Sequence, residues 1–455
     1  MEINELKTSL ECGLLDESIR SIYGEKEIQF QVERYLGIVD QYKDIFTDYG
    51  IAEAGLITAN DVHLFSAPGR CEILGNHTDH QNGKVIAASV NIDMAAAAGA
   101  NGENVIRVLS EGYEMAEVDL YEMSPVPSES GKMAGIIRGV TAALKAAGYR
   151  TGGFNAYVSS NIPEGAGVSS SAAFEILIGN IISGLFNEGN IDAVTIAKAG
   201  KTAENDYFGK PSGLMDQIAC SVGGIVYIDF ENPESPDVQS IDFSFEDKGY
   251  QLCLVDTGSS HADLTDAYAQ IPEDMKKVAG MFGKNVLRQV NEAELGASFS
   301  RVMAMLGERP LRRAIHFFNE EERVDEVRNC LKDIDREVVV PDKNDPSAEP
   351  IRYTGMERVL ELICESGQSS YKDLGNVCLP GQERTSKMVQ ALSLSWELLQ
   401  GRGAFRVHGG GFAGTILAIV PDDLALGYET VMNEELGTGS CRFISIRPAG
   451  GTMLV

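Results

Sequence analysis

The stretch that most restricts the fold is residues 154–175, FNAYVSSNIPEGAGVSSSAAFE. It reads as a strand, then a tight loop at Pro163-x-Gly165-x-Gly167, then Ser169, Ser170 and Ser171 opening an apolar helix that begins with Ala172 and runs toward Phe186. Glycine at 165 and 167 lets the backbone turn sharply and approach a ligand closely. Serines at a helix start leave N–H groups and hydroxyls at the positive end of the helix dipole. Two readings fit this piece alone: a phosphate cradle built from the 163–172 backbone and hydroxyls, or an ordinary strand–turn–helix with serine caps. It is not a Walker A loop, because no GxxxxGK[ST] occurs. Gly200-Lys201-Thr202 ends like one, but position 195 is Thr.

The rest of the chain surrounds this unit with similar alternation. VHLFSAPGR and GKVIAASVNIDMAAAAG predict buried strands separated by a polar turn. Residues 134–147, 172–186 and 192–206 have helical periodicity, and GGIVYIDF and YQLCLVDTG predict further strands with a change of domain near residue 245. Residues 270–400 read as mostly helical, interrupted by an exposed loop at 338–350, and the chain closes with strands around Gly409, Gly410 and Gly411. The expectation is an α+β protein in three parts. These are a helical N-terminal extension over 1–60, a lobe over 61–245 that carries the glycine-rich loop, and a second lobe over 246–455.

Composition narrows the partners. With 455 residues and a formal charge of −29, the mean field repels a polyanion, and no Lys/Arg-rich block relieves it, so nucleic acid is not expected. Any phosphate site must concentrate its positive potential locally, in backbone amides, a helix start, a metal ion or one or two cations. The N-terminus lacks the pattern of a secretory signal and no apolar run predicts a membrane span. The eight cysteines are scattered with no CxxC pair. Reduced thiols in a cytoplasmic protein, monomeric or homodimeric, are expected.

Two further segments carry chemistry. In FGKPSGLMDQIACSVGG, Asp216 follows a Gly/Pro turn that contains Gly213 and opens an apolar segment; twelve residues earlier, Glu204 ends a helix. A phosphoryl-transfer site needs a carboxylate near the accepting hydroxyl, a metal bridging the phosphates, and charge to stabilise the transferring group. Asp216, Glu204 and the serine hydroxyls can fill those roles if the fold gathers them. In APGRCEILGNHTDHQNGKVI, two cations, two carboxylates, two histidines and three amides crowd a turn between apolar strands. Such a density of hydrogen-bonding groups suits a polyhydroxylated ligand. His77-x-x-His80 also has helical metal-ligand spacing, but without cysteine or HExxH context.

Three motifs in order resemble the galactokinase branch of the GHMP kinases: Pro68-Gly69-Arg70…Gly75-Asn76-His77-Thr78-Asp79, Pro163-x-Gly165-x-Gly167-Val168-Ser169-Ser170-Ser171, and His408-Gly409-Gly410-Gly411-Phe412-Ala413-Gly414. The match runs from about residue 60 to the end. The resemblance implies a two-lobed fold, with a ribosomal-protein-S5-like N-terminal lobe and a ferredoxin-like C-terminal lobe, and a cleft that binds ATP, Mg²⁺ and a sugar. It implies Asp216 as catalytic base with Arg70 beside it, and Ser170 and Glu204 toward Mg²⁺. It also implies sugar contacts from Glu72, Asn76, His77, Asp79, Gly213 and Tyr268, with the Gly409–Gly411 turn lining the cleft. The implied activity is ATP-dependent phosphorylation of a galactose-like sugar at its anomeric hydroxyl.

The sequence departs from that family at one place. Galactokinases usually carry G-E-H-T-D-Y, with Asn four residues before the Glu. Here the two are exchanged, as Glu72 and Asn76, and His80-Gln81 follow. Plant galacturonokinases resemble this H-x-D-H-Q-x-G stretch. Two expectations follow: Asn76 relaxes the pocket toward a C6 carboxylate, or Glu72 and Asn76 trade roles within one network and galactose remains the substrate. A non-catalytic sugar/ATP sensor is the expectation from another class, disfavoured because Ser169–Ala172 and Asp216 are present. A non-sugar acceptor such as mevalonate is disfavoured by His77-Thr78-Asp79.

Overall fold

The computed structural model describes residues 1–48, 61–163, 167–258, 264–341 and 349–455. The chain starts with three helices, α1 (Ile3–Glu11), α2 (Asp16–Tyr23) and α3 (Ile28–Lys43). It then enters a sheet built on two long antiparallel strands, β1 (His63–Leu74) and β2 (Lys84–Ala100). β3 (Val105–Ser110), β4 (Ala116–Asp119) and β5 (Phe154–Ser160) extend that sheet, with β5 pairing β2 and, in parallel, β3. Between them lies α4 (Met133–Ala146), and after β5 come α5 (Ser170–Asn187), α6 (Ala193–Thr202) and α7 (Met215–Val222). β6 (Ile225–Asp229) and β7 (Asp237–Ile241) pair at the other end of β2, and the C-terminal strand β14 (Thr452–Met453) pairs β1.

The alanine run in β2 shows why this sheet is covered on both faces. Successive side chains on a strand point to opposite sides. Ala96 and Ala98 sit in the core with Ile176, Leu177 and Ile181 of α5, whereas Ala95 and Ala97 sit in the core with Leu6, Ile19 and Val39 of the N-terminal helices. Small side chains on both faces allow close approach from both sides. The helices α1–α3 are therefore one of the two covering layers.

A second, four-stranded sheet, in the order β11-β12-β8-β13, is formed by β8 (Tyr250–Asp256), β11 (Ala404–Val407), β12 (Thr415–Pro421) and β13 (Cys441–Ile444). Helices α8 (Thr265–Met281), α9 (Glu292–Ala297), α10 (Phe299–Leu306), α11 (Glu308–Lys332) and α12 (Gly355–Ser369) follow β8. α13 (Lys387–Leu399) and α14 (Ala425–Leu436) pack on the sheet itself. Residues expected as a plain exposed loop are flanked by a hairpin, β9 (Glu337–Val340) with β10 (Ile351–Thr354). The β-branched run Val338–Val340 explains the pairing, since such side chains favour extended backbone; residues 342–348 lie outside the described segments. Leu252, Leu254 and Leu417 of this sheet share a core with Cys71, Ile73 and Val90 of the first. That apolar seam brings β1, with its polar turn, against the Gly409–Gly411 loop.

Candidate active site

Strand β1 sets the first side chains. Its pairing with β2 is irregular between Pro68 and Arg70 and again between Glu72 and Leu74, so two bulges bracket Arg70–Glu72. Bulges re-aim side chains next to functional sites. Gly69 lies under the glycine-rich loop: a Cβ there would stand 2.7 Å from the Val168 carbonyl oxygen, and the Arg70 N–H donates to that oxygen at 3.0 Å. Only glycine lets loop and strand meet so closely.

Arg70 donates to both oxygens of Asp216, at 2.7 and 2.6 Å, and to the Gly167 carbonyl. Asp216 occupies the first turn of α7. The Ser169 hydroxyl donates to Asp216 Oδ2 at 2.6 Å. Ser169 is the N-cap of α5, with φ of 61°, a left-handed conformation uncommon outside glycine, and the bond to Asp216 helps hold it there. Burial works to raise the Asp216 carboxyl, but Arg70's charge and hydrogen bonds, together with Ser169, outweigh it and hold Asp216 below its ordinary value. Asp216 is therefore an ionised carboxylate in charge-assisted contact with the glycine-rich loop.

Glu204 sits where α6 passes into a π-helical turn, Ala203–Phe208, rather than in a plain last turn. Its Oε1 accepts from Ser171 at 3.1 Å and from Lys210 at 2.8 Å, and its Oε2 accepts from Gln217 at 3.0 Å. The hydroxyl that meets Glu204 is thus Ser171; Ser170, one residue earlier, is exposed at the helix start. Gln217 also donates to Glu175 Oε2 at 2.9 Å, so one amide joins two buried carboxyls. Burial, reinforced by the charge of Glu204, pushes Glu175 from 4.5 up to about 9, so it carries a proton at neutral pH.

That proton has a consequence for stability. The folded chain keeps it up to about pH 9, whereas the unfolded chain releases it above 4.5. The unfolded state binds fewer protons throughout that window, so Glu175 makes stability fall as pH rises through it. Glu175→Gln, which mimics the neutral acid, should be more stable than the parent. The gap should widen by about 1.4 kcal/mol per pH unit between pH 6 and 8. Denaturant titrations at three pH values test this; a gap that stays constant with pH contradicts a neutral Glu175.

The acceptor-side residues form a single network. Glu72 Oε1 accepts from Arg406 at 2.7 Å and from Asn76 at 3.1 Å. The Arg406 side chain is fully buried, and Arg406 also donates to the Ile73 carbonyl at 3.0 Å. Asn76 uses all of its amide: it donates to Glu72 and, at 2.7 Å, to the Gly409 carbonyl, and it accepts from Ser370 and Asn376 at 3.2 and 2.8 Å. The turn's backbone is anchored on Glu320, which accepts from the Gly75 and Asn76 N–H groups.

The two histidines of H-x-x-H form a hydrogen-bond chain rather than a metal site. Burial pushes both His77 and His80 down to about 3, so both rings are neutral. A neutral ring offers one donor and one acceptor. His77 Nε2 donates to the Gly410 carbonyl at 3.1 Å, which leaves Nδ1 to accept from His80 Nε2 at 3.1 Å. Among the described residues no group of three or more His, Cys, Asp or Glu could hold a metal ion. Asp79 accepts from the His80 N–H at 2.8 Å. Tyr268 closes the site from α8, its ring 5.1 Å from that of His77. It lies so close over Gly410 that a Cβ there would stand 1.9 Å from the Tyr268 ring.

Between these groups lies a cavity of about 180 Å³. Arg70, Glu72, Asn76, His77, Asp79, Glu204, Gly213, Asp216, Tyr268, Gly409 and Gly410 all line it, so most of the acceptor-side residues expected from sequence share one chamber. Gly411 does not line it; it packs against Asn376 behind the wall. Lys210, Pro211, Ser212 and Met215 also line the chamber and were not singled out from sequence. Lys210 was legible in principle, as a lysine six residues after Glu204 in FGKPSG. Arg406, Gln217 and Glu175 had no local signal.

A separate, open groove of about 970 Å³ is lined by Ser170 and Ser171 at the start of α5 and by Tyr113, Met133, Ile136 and Phe174. Of the expected phosphate-loop residues, Gly167, Ser169, Ser170 and Ser171 stand at the helix start between groove and chamber, while Val168 and Ala172 are buried beneath it. Pro163 ends the preceding described segment, and Gly165 lies outside the described residues.

The chain is similar to known proteins in sequence and in fold. The GHMP kinases N terminal domain family matches residues 135–224, and the galactokinase galactose-binding signature matches residues 57–100. A galactokinase from Streptomyces coelicolor is 27% identical over 362 residues, 78% of this chain and 84% of the relative. One from Limosilactobacillus fermentum is 26% identical over 399 residues, 85% of this chain and 90% of the relative. The crystal structure of Lactococcus lactis galactokinase complexed with galactose superposes with a TM-score of 0.71 at 22% identity, over 91% of this chain and 98% of that one. Methanococcus jannaschii mevalonate kinase superposes with a TM-score of 0.56 at 16% identity, over 85% and 99%. These matches support a protein of the GHMP kinase superfamily, and the two-lobed α+β architecture is that of the GHMP kinases. Within that superfamily, the galactose-binding signature and the curated relatives point to the galactokinase branch. No helix among the described residues is long and apolar enough to cross a membrane.

Proposed function

We propose that this protein is an ATP-dependent sugar 1-kinase that converts galactose and ATP to galactose 1-phosphate and ADP. One observation carries the reading. Asp216, ionised and gripped by Arg70, forms part of the wall of a chamber sized for one monosaccharide and is hydrogen-bonded to Ser169 at the mouth of the nucleotide groove. A sugar hydroxyl placed in the chamber against Asp216 faces the phosphates across a single residue.

Asp216 accepts the hydrogen bond of the anomeric hydroxyl and takes its proton as the sugar oxygen bonds to the γ-phosphorus, whose bond to the bridging oxygen breaks, that oxygen leaving with ADP. Arg70 keeps Asp216 ionised and offsets the charge that grows on the attacking oxygen. The loop's N–H groups and the start of α5 hold the phosphates, and the large groove takes the nucleoside. The residues suit Mg²⁺, which commonly needs only one or two protein ligands besides phosphates and water. Glu204 is a buried carboxylate that already holds a cation, Lys210, and hydroxyls stand beside it. Glu204 with Ser170 or Ser171 would hold the ion, which when bound offsets phosphate charge.

Galactose is preferred here to galacturonate. Asn76 has no donor left over for a substrate carboxylate, and the negative charge is displaced rather than removed, since Glu72 lines the same chamber. Glu72 and Asp79 would both repel a C6 carboxylate. A coupled ADP-release assay with Mg·ATP and galactose, N-acetylgalactosamine, galacturonate, arabinose and glucose should show kcat/KM for galactose exceeding that for galacturonate by about a hundredfold or more. Equal or better turnover of galacturonate would reverse the assignment of Glu72, and no ADP release with any sugar would point to a non-catalytic sensor.

A further inference from the structure

We infer that the N-terminal helical segment is a positioning element for the phosphate loop, acting through Arg34 and Asp93. The inference rests on the reading of residues 163–172 as the nucleotide phosphate site. Asp93 is a fully buried carboxylate on β2, paired with Pro68 of β1 two residues before Arg70. Arg34 of α3 donates to Asp93 Oδ1 at 2.6 Å and, with its second nitrogen, to the Ser159 carbonyl at 3.2 Å. Ser159 belongs to the end of β5, four residues before Pro163. The Asp93 backbone is tied to the same lead-in: its N–H donates to Asn161 Oδ1 at 2.6 Å, and its carbonyl accepts from the Asn161 N–H at 3.1 Å.

The other oxygen of Asp93 gathers the remaining elements. It accepts from Tyr23 of α2 at 2.5 Å, from Ser66 of β1 and from the buried Arg447 at 3.1 Å. Arg447 in turn donates to the carbonyls of Ala449 and Gly450, and the Gly451 N–H donates to Cys220 on α7, the helix that begins beside Asp216. One buried anion therefore links α2, α3, the strand entering the phosphate loop, and the helix bearing Asp216. Apolar packing would cover this face of the sheet at lower desolvation cost than two arginines and a carboxylate. What the polar hub adds is directional: it fixes where β5 ends and hence where the loop begins.

Arg34 is thus a positioning residue, and its loss should show in nucleotide binding beyond any loss of stability. Arg34→Ala should weaken Mg·ATP binding, measured by calorimetry without sugar, about tenfold, with KM for galactose changed less than about twofold. Asn161→Ala, which cuts the same link from the loop side, should give the same split and serves if Arg34→Ala does not fold. Arg34→Lys, able to reach Asp93 but not Ser159 as well, should recover part of the affinity. Val39→Ala, a buried cavity variant of the same helix that leaves the hub intact, should lower Tm without changing Mg·ATP affinity. Arg34→Ala and Asn161→Ala that match Val39→Ala, or that raise both substrate constants equally, would overturn the inference. A parent protein that binds galactose but no Mg·ATP would overturn the reading of the loop, and the inference with it.

Discussion

Asp216→Asn should lower kcat by about a thousandfold or more while leaving Mg·ATP affinity within a few-fold of the parent. The carboxylate accepts three hydrogen bonds, two from Arg70 and one from Ser169. An amide in its place can accept through one oxygen only and carries no charge with which to draw off a proton. General-base assistance alone contributes about 10²- to 10⁴-fold, and the substitution also leaves the Arg70 guanidinium beside the attacking oxygen without its partner. The nucleotide contacts proposed above lie elsewhere, in the loop backbone and the large groove, so binding should survive. Single-turnover kinetics with calorimetry on the same sample decide it: residual turnover within tenfold of the parent would show that Asp216 is not the base. A related expectation concerns pH. Because Arg70 and Ser169 hold Asp216 below its ordinary 3.8, the acid limb of kcat/KM that it governs should lie below that value. Weakening the grip, as in Arg70→Lys, should move the limb upward.

Local sequence revealed more of this site than of what holds it in place. The strand and the helix opened by serines were legible at 154–175 because each element's signal is short-range: alternation in one, small polar residues before an apolar run in the other. Asp216 was legible for the same reason, as an acid at a helix start after a turn. The gathering of Arg70, Asp79, Asp216 and Tyr268 around one chamber came from the resemblance rather than from local signals, since those residues are up to two hundred positions apart. What no local rule reaches is pairing set by tertiary contact. Arg406 sits in an ordinary β-strand pattern, AFRV, yet is fully buried against Glu72. Glu175 looks like an interruption in an apolar helix, and its neutrality comes from burial reinforced by the charge of Glu204, which another element supplies. The N-terminal helices read as a packing element, and the alanine alternation in β2 does place them as a covering layer. Their polar link to the phosphate loop runs through Asp93, a residue whose partners come from five segments of chain and which nothing in its own neighbourhood marks.

The exchanged Glu72 and Asn76 give the sharpest test of that tertiary logic. Asn76→Glu alone should destabilise the protein by about 3–5 kcal/mol and abolish sugar binding. It would set a second buried carboxylate against Glu72, whose burial already raises its pKa, and would turn an acceptor toward the Gly409 carbonyl where Asn76 now donates. Glu72→Asn alone should cost a similar amount for the opposite reason, because the buried Arg406 loses the one carboxylate that accepts from it among the described residues. The double variant, which restores the order usual in galactokinases, again provides one carboxylate and one amide for one arginine. Its loss should be smaller than the sum of the two single losses, with a coupling of at least about 2 kcal/mol. Denaturant unfolding of the four proteins measures that coupling, and galactose affinity of the double variant reads whether the network or the particular position is what the sugar requires. Strict additivity would mean that Glu72 and Asn76 act independently and that Arg406 does not connect them.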